Sequence, residues 1–403
     1  MKIGLALSGG GFRATIYHLG VLARLAEQNR LEQVTFISTV SGGSLCAGLV
    51  YAQSGFRWPT SQHYINVVAP RARELLTTQD LERSLIWRVL TLLFSRPLSL
   101  LETRADDLSD LLNKNWGITI NVRDLPAQPR WMINTTCYET GKNWRFERFQ
   151  MGDYVFGYTA DPSVPLSDAL AASAGFPGLI GALALDARPH EWFKYRRSSP
   201  GGDSDSREKE RIQPPYPQVH LWDGGVYDNL GLEPLHNFVG GWRQGIDFLI
   251  ASDASGKPMP ETYQPGIKAL FRIISGVMMD QIRSLRSRAV LERMINHKDA
   301  GGFLQIGNTC EDVLKNSPKK DDIPRLCPAC LSAEEAERAE KMGTTIRRVT
   351  PAEFERLFRH GFEVADYTLY AYHPDTFPYI GYVNSRWGKS AAGGSASHVA
   401  IAQ

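Results

Sequence analysis

The sequence predicts a three-layer α/β/α protein built on a mainly parallel central sheet. Two short apolar runs, Ile3 to Leu7 and Val34 to Ile37, each end in a glycine-rich turn that opens a helical pattern. A strand, a helix and a second strand joined through a tight turn predict parallel strands with a right-handed crossover. The first helix is expected over residues 12–29. Its core-facing stripe has apolar residues three and four apart, namely Ile16, Leu19, Ala23 and Ala26.

The composition is that of a globular protein without an obvious polyanionic partner. The 403 residues are 43% hydrophobic and 22% charged, with a net charge of +2, so no nucleic acid is expected to bind. The chain starts almost at once with a strand, which argues against a secretory signal. Five cysteines without framework spacing favour a reducing compartment. No apolar stretch reaches the ~18 residues of a spanning helix, so we expect a cytoplasmic protein.

The organisation along the chain predicts a main domain and an extension. Residues 1–255 form the main domain, with a helical insertion at about 70–115 and a mobile polar loop at about 197–217. Residues 256–403 form a carboxy-terminal extension, and whether it is a separate domain stays open. Further expected elements are β segments at 131–137 and 143–149, a small-residue helix at 166–177 ended by Pro177, strands at 219–222 and 248–251, a basic helix at 269–295 whose arginines are solvated, and a frayed end at 388–403.

An apolar patch inside the insertion, from Ile86 to Leu101, has two interpretations. The first is a buried helix of the main core, and the second is a lid or interfacial helix that meets lipid. Trp87 and Phe94 favour a membrane interface, and Arg88 and Arg96 are suited to lipid phosphate. Apolar residues on nearly every side of the stretch exceed what one buried face needs.

The first turn, Ser8-Gly9-Gly10-Gly11-Phe12-Arg13, has the composition of an anion-binding loop. A glycine turn at the start of a helix can present a row of free backbone N–H groups. The spacing of Gly9, Gly11 and Ala14 also fits a dinucleotide-binding fingerprint. That interpretation fails because the second strand ends in Ser38-Thr39-Val40-Ser41, without the acidic residue that holds ribose. A phosphate-binding P-loop also fails, because no Gly-Lys-Ser/Thr follows.

The second turn, Thr39-Val40-Ser41-Gly42-Gly43, can carry a nucleophile. A serine on a sharp strand-to-helix elbow needs small neighbours, and Gly42 and Gly43 supply them. The simpler alternative is a helix-capping serine, although Ser44 could cap the helix instead. A serine nucleophile needs a base. His373 would serve in an α/β-hydrolase arrangement, but in that fold the nucleophile follows several strands rather than the second.

Asp223-Gly224-Gly225 is a better partner for Ser41. It ends a strand, as Ser41 does, so both side chains are expected at the same edge of the sheet. Two glycines after the aspartate allow close approach of backbone or substrate. An ordinary Asp-Gly β-turn is the alternative.

Taken together, these segments resemble the patatin-like phospholipases. The resemblance is carried by residues 8–13, 39–43 and 223–225, by Ala172-Ser173-Ala174-Gly175-Phe176-Pro177, and by Asn229 after the Asp-Gly-Gly turn. The glycine segment is also similar to the oxyanion segment of cytosolic phospholipases A2. The resemblance covers about residues 1–255. It departs from the family pattern at Thr39, where a glycine is usual, and after Ala14, where the second half of the glycine pattern is missing.

The resemblance implies a Ser-Asp dyad, with Ser41 as the nucleophile and Asp223 as the base. It further implies an oxyanion hole formed by the amides of Gly9, Gly10 and Gly11, with Arg13 stabilising a nearby negative charge such as a lipid phosphate. The implied activity is hydrolysis of a fatty-acyl ester, a phospholipid or lysophospholipid, through an acyl-Ser41 intermediate. The alternative is a lipid-binding or acyl-binding module without turnover.

The implied chemistry needs no cofactor, and no segment resembles a calcium-binding loop, so we expect calcium independence. We also expect peripheral contact with a membrane and regulation by a partner or small effector. Cys310, Cys327 and Cys330 form a further constellation, because Cys-Pro-Ala-Cys has the spacing of a zinc knuckle. Structural zinc with His297 as fourth ligand is one interpretation, and unpaired thiols in a surface loop are the other.

Overall fold

The computed structural model describes residues 1–85, 104–160, 162–177, 180–196, 208–237, 239–256, 260–297 and 300–387. Its strands are β1 Ile3–Leu7, β2 Val34–Thr39, β3 Arg130–Cys137, β4 Lys142–Glu147, β5 Gln150–Asp153, β6 Gly157–Ala160, β7 Leu183–Asp186, β8 Trp192–Tyr195, β9 Lys209–Ile212, β10 Gln218–Asp223, β11 His236–Asn237, β12 Gly241–Trp242, β13 Phe248–Asp253 and β14 Gly301–Gln305.

The helices are α1 Gly11–Glu27, α2 Gly42–Gln53, α3 Ser61–His63, α4 Ala69–Thr78, α5 Arg104–Trp116, α6 Leu166–Ser173, α7 Gly225–Asp228, α8 Ile267–Phe271, α9 Met279–Asn296, α10 Cys310–Leu314, α11 Ile323–Leu326, α12 Ala333–Glu340, α13 Pro351–Tyr372 and α14 Asn384–Trp387. Two π-helical turns, Tyr64–Val68 and Arg272–Met278, join α3 to α4 and α8 to α9. The short 3-10 turns within the described ranges are Leu31–Gln33, Val122–Asp124, Lys320–Asp322 and Cys327–Ala329.

One large sheet organises the molecule. Its parallel part has the order β14-β13-β1-β2-β3, and antiparallel strands continue the sheet from β3 through β4, β5, β6, β8 and β9. The parallel strands are almost wholly buried and read as continuous apolar runs, as expected of strands covered on both faces. Helices α1, α2 and α13 belong to the larger core cluster, and a second cluster of buried residues contains Val290 of α9. The α/β/α class predicted from the sequence is confirmed.

Strand β10 reaches the site from an unexpected direction. It pairs antiparallel with β3, so Asp223 does not end a strand parallel to β2. On β3, Ile133 is the partner of Thr39 and Thr135 is the partner of Asp223. Two residues of an extended strand span about 7 Å, so β10 ends close to the point where β2 ends. The expected proximity of Ser41 and Asp223 therefore holds, but the strand ends face each other rather than sharing one parallel edge.

The segment after residue 255 is part of the same core. Strand β14 pairs with β13 in parallel register, and α13 packs along α1. The two helices touch at glycines: a Cβ at Gly20 would lie 1.9 Å from the Phe358 carbonyl oxygen, and a Cβ at Gly361 would lie 1.9 Å from that of Tyr17. The carboxy-terminal extension is therefore continuous with the main domain in this structure.

Several local expectations meet a different outcome. The basic helix begins at Ile267 and contains a π-helical turn. Helix α6 ends at Ser173, four residues before Pro177, so the proline does not terminate it. The predicted polar loop at 197–217 contains strand β9, and its residues 197–207 lie outside the described part of the chain. The apolar patch from Ile86 to Leu101, with Trp87, Arg88, Phe94 and Arg96, and the carboxy-terminal residues 388–403 also lie outside the described residues.

Candidate active site

Ser41 lies on the turn between β2 and α2 in a backbone conformation that few non-glycine residues adopt. Its φ is 50° and its ψ is −118°. Non-glycine residues with positive φ are uncommon, and such strain clusters at functional sites. The side chain makes no capping hydrogen bond to α2, although Ser41 stands at the cap position. Its hydroxyl, on a residue 8% exposed, is therefore not used to terminate the helix.

The glycine after Ser41 allows the two motif turns to touch. A Cβ at Gly42 would lie 2.2 Å from the Gly11 carbonyl oxygen and 2.9 Å from the Gly11 nitrogen. A larger residue would push the serine turn away from the glycine turn. Since α1 begins at Gly11 and α2 begins at Gly42, the positive ends of two helix dipoles meet beside Ser41.

Buried hydroxyl groups hold the serine turn in place. The Ser173 hydroxyl accepts a hydrogen bond from the Ser41 amide at 3.1 Å and donates to the Asn134 carbonyl at 2.7 Å. The Ser44 hydroxyl lies 2.8 Å from both the Ser173 hydroxyl and the Thr39 hydroxyl. Ser44 therefore braces the turn and does not cap the helix. Thr39 is the last residue of β2 and has no positive φ, so the departure from the usual glycine is accommodated.

Asp223 is a buried carboxyl group beside Ser41. It is 2% exposed, and one carboxylate oxygen accepts a hydrogen bond from the Gly225 amide at 2.7 Å. Burial raises the pKa of Asp223 to about 7, against the lowering effect of hydrogen bonds from the Gly225 amide and the Ser41 side chain. A carboxyl group with a pKa near neutrality can both accept and release a proton at physiological pH.

The three glycines of the first turn differ in what their amides bind. The Gly9 amide donates to the Asn229 carbonyl at 3.0 Å. The amides of Gly10 and Gly11 have no acceptor among the described residues. The expectation of three oxyanion donors therefore needs correction at Gly9, whose N–H is already used to join the glycine turn to the chain after α7.

Arg13 does not line the pocket in the described structure, contrary to the expectation that it meets a substrate phosphate. The side chain is 5% exposed, and its guanidinium donates to four backbone carbonyls. These belong to Ala254 at 3.1 Å, Glu340 at 3.4 Å, Ser255 and Met342. Desolvation lowers the pKa of Arg13 to about 10. Arg13 therefore ties the glycine turn to the residues after β13 and α12.

A cavity of about 310 Å³ opens above Ser41 and Asp223. Its volume is at the lower end of the range for small-molecule sites. Its lining comes from distant parts of the chain, namely Gly10, Ser41, Phe176, Asp223, Asn229, Ser255, Gly256, Arg272, Ser275, Gly276, Met279, Asp280, Arg283 and Thr344. The positions of Arg272, Arg283 and Thr344 in this lining are not predictable from the sequence. Arginines on a helix predict a solvated face by default, and no local pattern shows which way that helix docks.

The cysteine constellation forms a contact between thiols, without the expected fourth metal ligand. The Cys310 thiol contacts those of Cys327 and Cys330, as the sequence spacing allows. His297, the suggested fourth ligand, forms an ion pair with Glu292 at 3.3 Å. Within the described residues, no group of three or more His, Cys, Asp or Glu side chains is arranged to hold a metal ion. Structural zinc on these three thiols therefore stays a prediction, without His297 as its fourth ligand, and all five cysteines are free.

The fold and site define an α/β protein with a polar pocket where β2 and β10 end. A model of the patatin-like phospholipase family matches residues 5–236, more than half of the chain. The chain therefore belongs to the patatin-like phospholipase family. None of the described helices combines the length and apolarity that crossing a bilayer requires.

Solved structures include distant neighbours. Human GIVD cytosolic phospholipase A2 is similar over 90% of this chain and 60% of its own, with 14% identity and a TM-score of 0.49. The complex of that enzyme with methyl gamma-linolenyl fluorophosphonate matches over 90% of this chain and 56% of its own, with 16% identity and a TM-score of 0.45. VipD from Legionella pneumophila matches over 91% of this chain and 67% of its own, with 13% identity and a TM-score of 0.31. The chain thus spans 60% of the human enzyme's length. A search of curated proteins gave no match.

Proposed function

We propose that this protein is a serine acyl hydrolase that cleaves a fatty-acyl ester, of phospholipase A or lysophospholipase type. The proposal is supported above all by the buried Asp223 carboxyl group, which lines the same cavity as Ser41 and whose pKa is raised by burial to about 7. A hydroxyl group attacks an ester only when a base takes its proton. Asp223 meets that need directly, without an intervening histidine.

The proposed reaction has two steps that use the same pair of residues. In acylation, Asp223 takes the Ser41 proton, Ser41 Oγ attacks the ester carbonyl carbon, and the protonated Asp223 returns the proton to the departing alcohol. In deacylation, Asp223 takes a proton from water and the hydroxide attacks the acyl-Ser41 carbonyl. The protonated Asp223 then returns the proton to Ser41 Oγ as the acyl bond breaks, and the fatty acid is released. Both steps move protons between named groups, so the proposal includes no cofactor and no calcium.

The amides of Gly10 and Gly11 are the proposed oxyanion donors. Both have no acceptor among the described residues, and the Gly11 turn contacts the serine turn. Attack on the carbonyl places negative charge on its oxygen, and a preorganised N–H donor contributes about 3 kcal/mol of transition-state stabilisation. The start of α1 adds the favourable end of a helix dipole at the same point.

The proposed substrates reside in membranes, so the proposal includes reversible peripheral contact with a bilayer. Regulation by a partner or small effector remains part of the hypothesis, because an unregulated phospholipase would damage its own cell. A non-catalytic lipid-binding module is the competing function, and it differs in predicting no turnover by the intact pocket.

Steady-state hydrolysis of a short, water-soluble acyl ester tests the proposal without any membrane. Ser41→Ala and Asp223→Asn are each expected to lower kcat by at least a thousandfold while the circular dichroism spectrum stays unchanged. Asp186→Asn is the matched control, because this exposed aspartate lies on β7 outside the pocket lining. Full activity of Ser41→Ala would contradict the proposal, and a wild-type protein that binds lipid without hydrolysis would favour the competing function.

A further inference from the structure

The helical arm next to the pocket carries its apolar side chains on the outside. The arm consists of α8, the π-helical turn Arg272–Met278 and the first half of α9, up to residue 289. None of its residues is buried, nor is any of residues 260–266 before it. Its exposed large apolar residues are Ile267, Leu270, Phe271, Ile273, Ile274, Val277, Met278 and Leu285, and all but Leu285 lie within residues 267–278. A surface helix ordinarily turns such a stripe toward the core.

The polar side chains of the arm face the protein instead. Arg272, Ser275, Asp280 and Arg283 line the cavity above Ser41. Arg283 is 12% exposed and pairs with the buried Asp253 at 2.8 Å, which anchors the arm to the end of β13. The arm is thus amphipathic in the reverse sense, because its polar side chains line the Ser41 cavity while its apolar side chains stay exposed. Of these, Ile267, Phe271 and Ile273 also border a neighbouring cavity, and Leu270, Ile274, Val277 and Met278 do not. Such an exposed apolar patch marks an interaction site.

The charge of the arm indicates which kind of partner its apolar surface binds. Residues 267–290 contain five basic residues and one acidic residue. Basic amphipathic helices bind anionic lipid surfaces, with the apolar side chains in the acyl boundary and the basic residues near phosphate. Arg272, Arg283 and Arg286 are paired with Glu261, Asp253 and Asp228. The exposed positive charge of the arm is therefore carried by Lys268 and Arg288.

The position of the arm connects this surface to the candidate active site. Arg272, Ser275 and Gly276 line the cavity above Ser41 and also a neighbouring cavity of about 700 Å³ formed with residues 261–264. The two cavities therefore share one wall, which the arm provides.

We propose that the apolar face of residues 267–278 is the surface by which this protein docks on an anionic lipid bilayer. The docking delivers the ester to the Ser41 cavity, and in this respect the inference rests on the proposed function. Leu270 and Ile274 are central to the face. They are 59% and 48% exposed, and neither lines a cavity that the described structure contains near Ser41.

Vesicle co-sedimentation of the full chain tests the proposal. Vesicles of phosphatidylcholine alone are compared with vesicles of phosphatidylcholine and phosphatidylglycerol at a ratio of about three to one. Wild type is expected to partition onto the anionic vesicles, and Leu270→Ser/Ile274→Ser is expected to reduce that partitioning at least tenfold. Leu291→Ser/Ile295→Ser is the matched control with the same spacing, about 30 Å further along the helix, and is expected to bind as wild type does.

Hydrolysis of the water-soluble ester separates this inference from the proposed function. Both double variants should retain wild-type activity on that ester, because neither pair lines the Ser41 cavity. The inference is overturned if wild type binds no anionic vesicle, or if Leu270→Ser/Ile274→Ser binds as wild type does. It is also overturned if sedimentation velocity shows that this variant abolishes self-association instead, since the occupant would then be a second copy. Absence of soluble-ester hydrolysis in wild type would count against the proposed function alone, because vesicle binding is measured independently.

Discussion

At the scale of single residues, the environment of Asp223 determines what the pocket can do. A buried carboxyl group with one amide donor and one hydroxyl neighbour is poorly compensated as an anion, and its pKa rises to about 7. This makes it a stronger base than an exposed aspartate, whose proton affinity is too low to take a proton from a hydroxyl group efficiently. The same burial imposes a cost on the folded state whenever the group is ionised.

The pH dependence of kcat/KM should report this carboxyl group. The base form dominates above its pKa, so kcat/KM on the soluble ester is expected to fall tenfold per pH unit below a midpoint near pH 7. A midpoint near 4, the ordinary value for aspartate, would contradict the assignment of Asp223 as the base.

The raised pKa of Asp223 should also make the thermal stability of the protein fall as pH rises. The folded-state pKa of about 7 lies above the ordinary aspartate pKa of 3.8, so the folded protein holds a proton that the unfolded chain releases between these pH values. The contribution of the protonated group to stability is full below about pH 4 and is lost as pH rises through 7. Asp223→Asn is therefore expected to raise Tm by about 2–5 °C at pH 8 while abolishing turnover. A lowered Tm at pH 8 would show that the carboxylate is stabilised in the fold.

Ser173 is expected to position Ser41 without touching substrate. Ser173→Ala leaves the buried Ser41 amide without its acceptor, which costs about 1–3 kcal/mol. We expect kcat to fall about tenfold with KM unchanged, measured on the soluble ester. Ser109→Ala, which removes another buried hydroxyl pair outside the cavity lining, should leave kcat unchanged. Equal effects of both variants on kcat would contradict a positioning role for Ser173 and would indicate that its hydroxyl contributes only to packing.

At the scale of elements, the packing of α13 on α1 holds the glycine turn in place, because α1 begins in that turn. Helix α13 fixes α1 through backbone contacts at Gly20 and Gly361 and through the buried ion pair of Arg24 with Asp366. Removing one partner of a buried pair leaves an uncompensated charge. The geometry near Ser41 therefore depends on residues more than 300 positions away along the chain.

A Cβ at the helix crossing should be strongly destabilising. Gly361→Ala places a Cβ 1.9 Å from the Tyr17 carbonyl oxygen, so the helices must separate, and overpacking of this kind costs about 1–3 kcal/mol or more. Chemical denaturation measures the loss. Gly343→Ala is the control, because its Cβ meets nothing within 4 Å and its φ is not positive. Similar unfolding free energies for both variants would contradict this view of the crossing.

At the scale of the whole molecule, the sequence predicts best those features that depend on residues close together along the chain. The elbow of Ser41 and the Asp-Gly-Gly turn were predictable, because short glycine motifs and strand ends encode them. The partners of Arg13 were not, because its acceptors lie 241 to 329 residues away in sequence and are backbone carbonyls that have no sequence signature. The docking of α9 was missed for a similar reason. Its arginines pair with Asp253 and Asp228, but a helical pattern alone predicts only an exposed basic face.

The main domain is not expected to fold without the segment after residue 255. Although the family match ends at residue 236, β14 completes the parallel part of the sheet and α13 covers α1. A fragment of residues 1–255 would expose that face of α1, and we expect it to show no cooperative thermal transition by circular dichroism. A sharp transition with native-like helix content would show that the extension is dispensable for folding.

The central claim is that Ser41 is the nucleophile activated by Asp223. An alkyl fluorophosphonate reacts covalently with an activated serine, and mass spectrometry of the digested protein locates the adduct. We predict one adduct, on the peptide that contains Ser41, formed faster at pH 8 than at pH 6, absent from Ser41→Ala and strongly slowed in Asp223→Asn. Labelling of Ser41→Ala at the wild-type rate, or an adduct on another residue, would contradict the account.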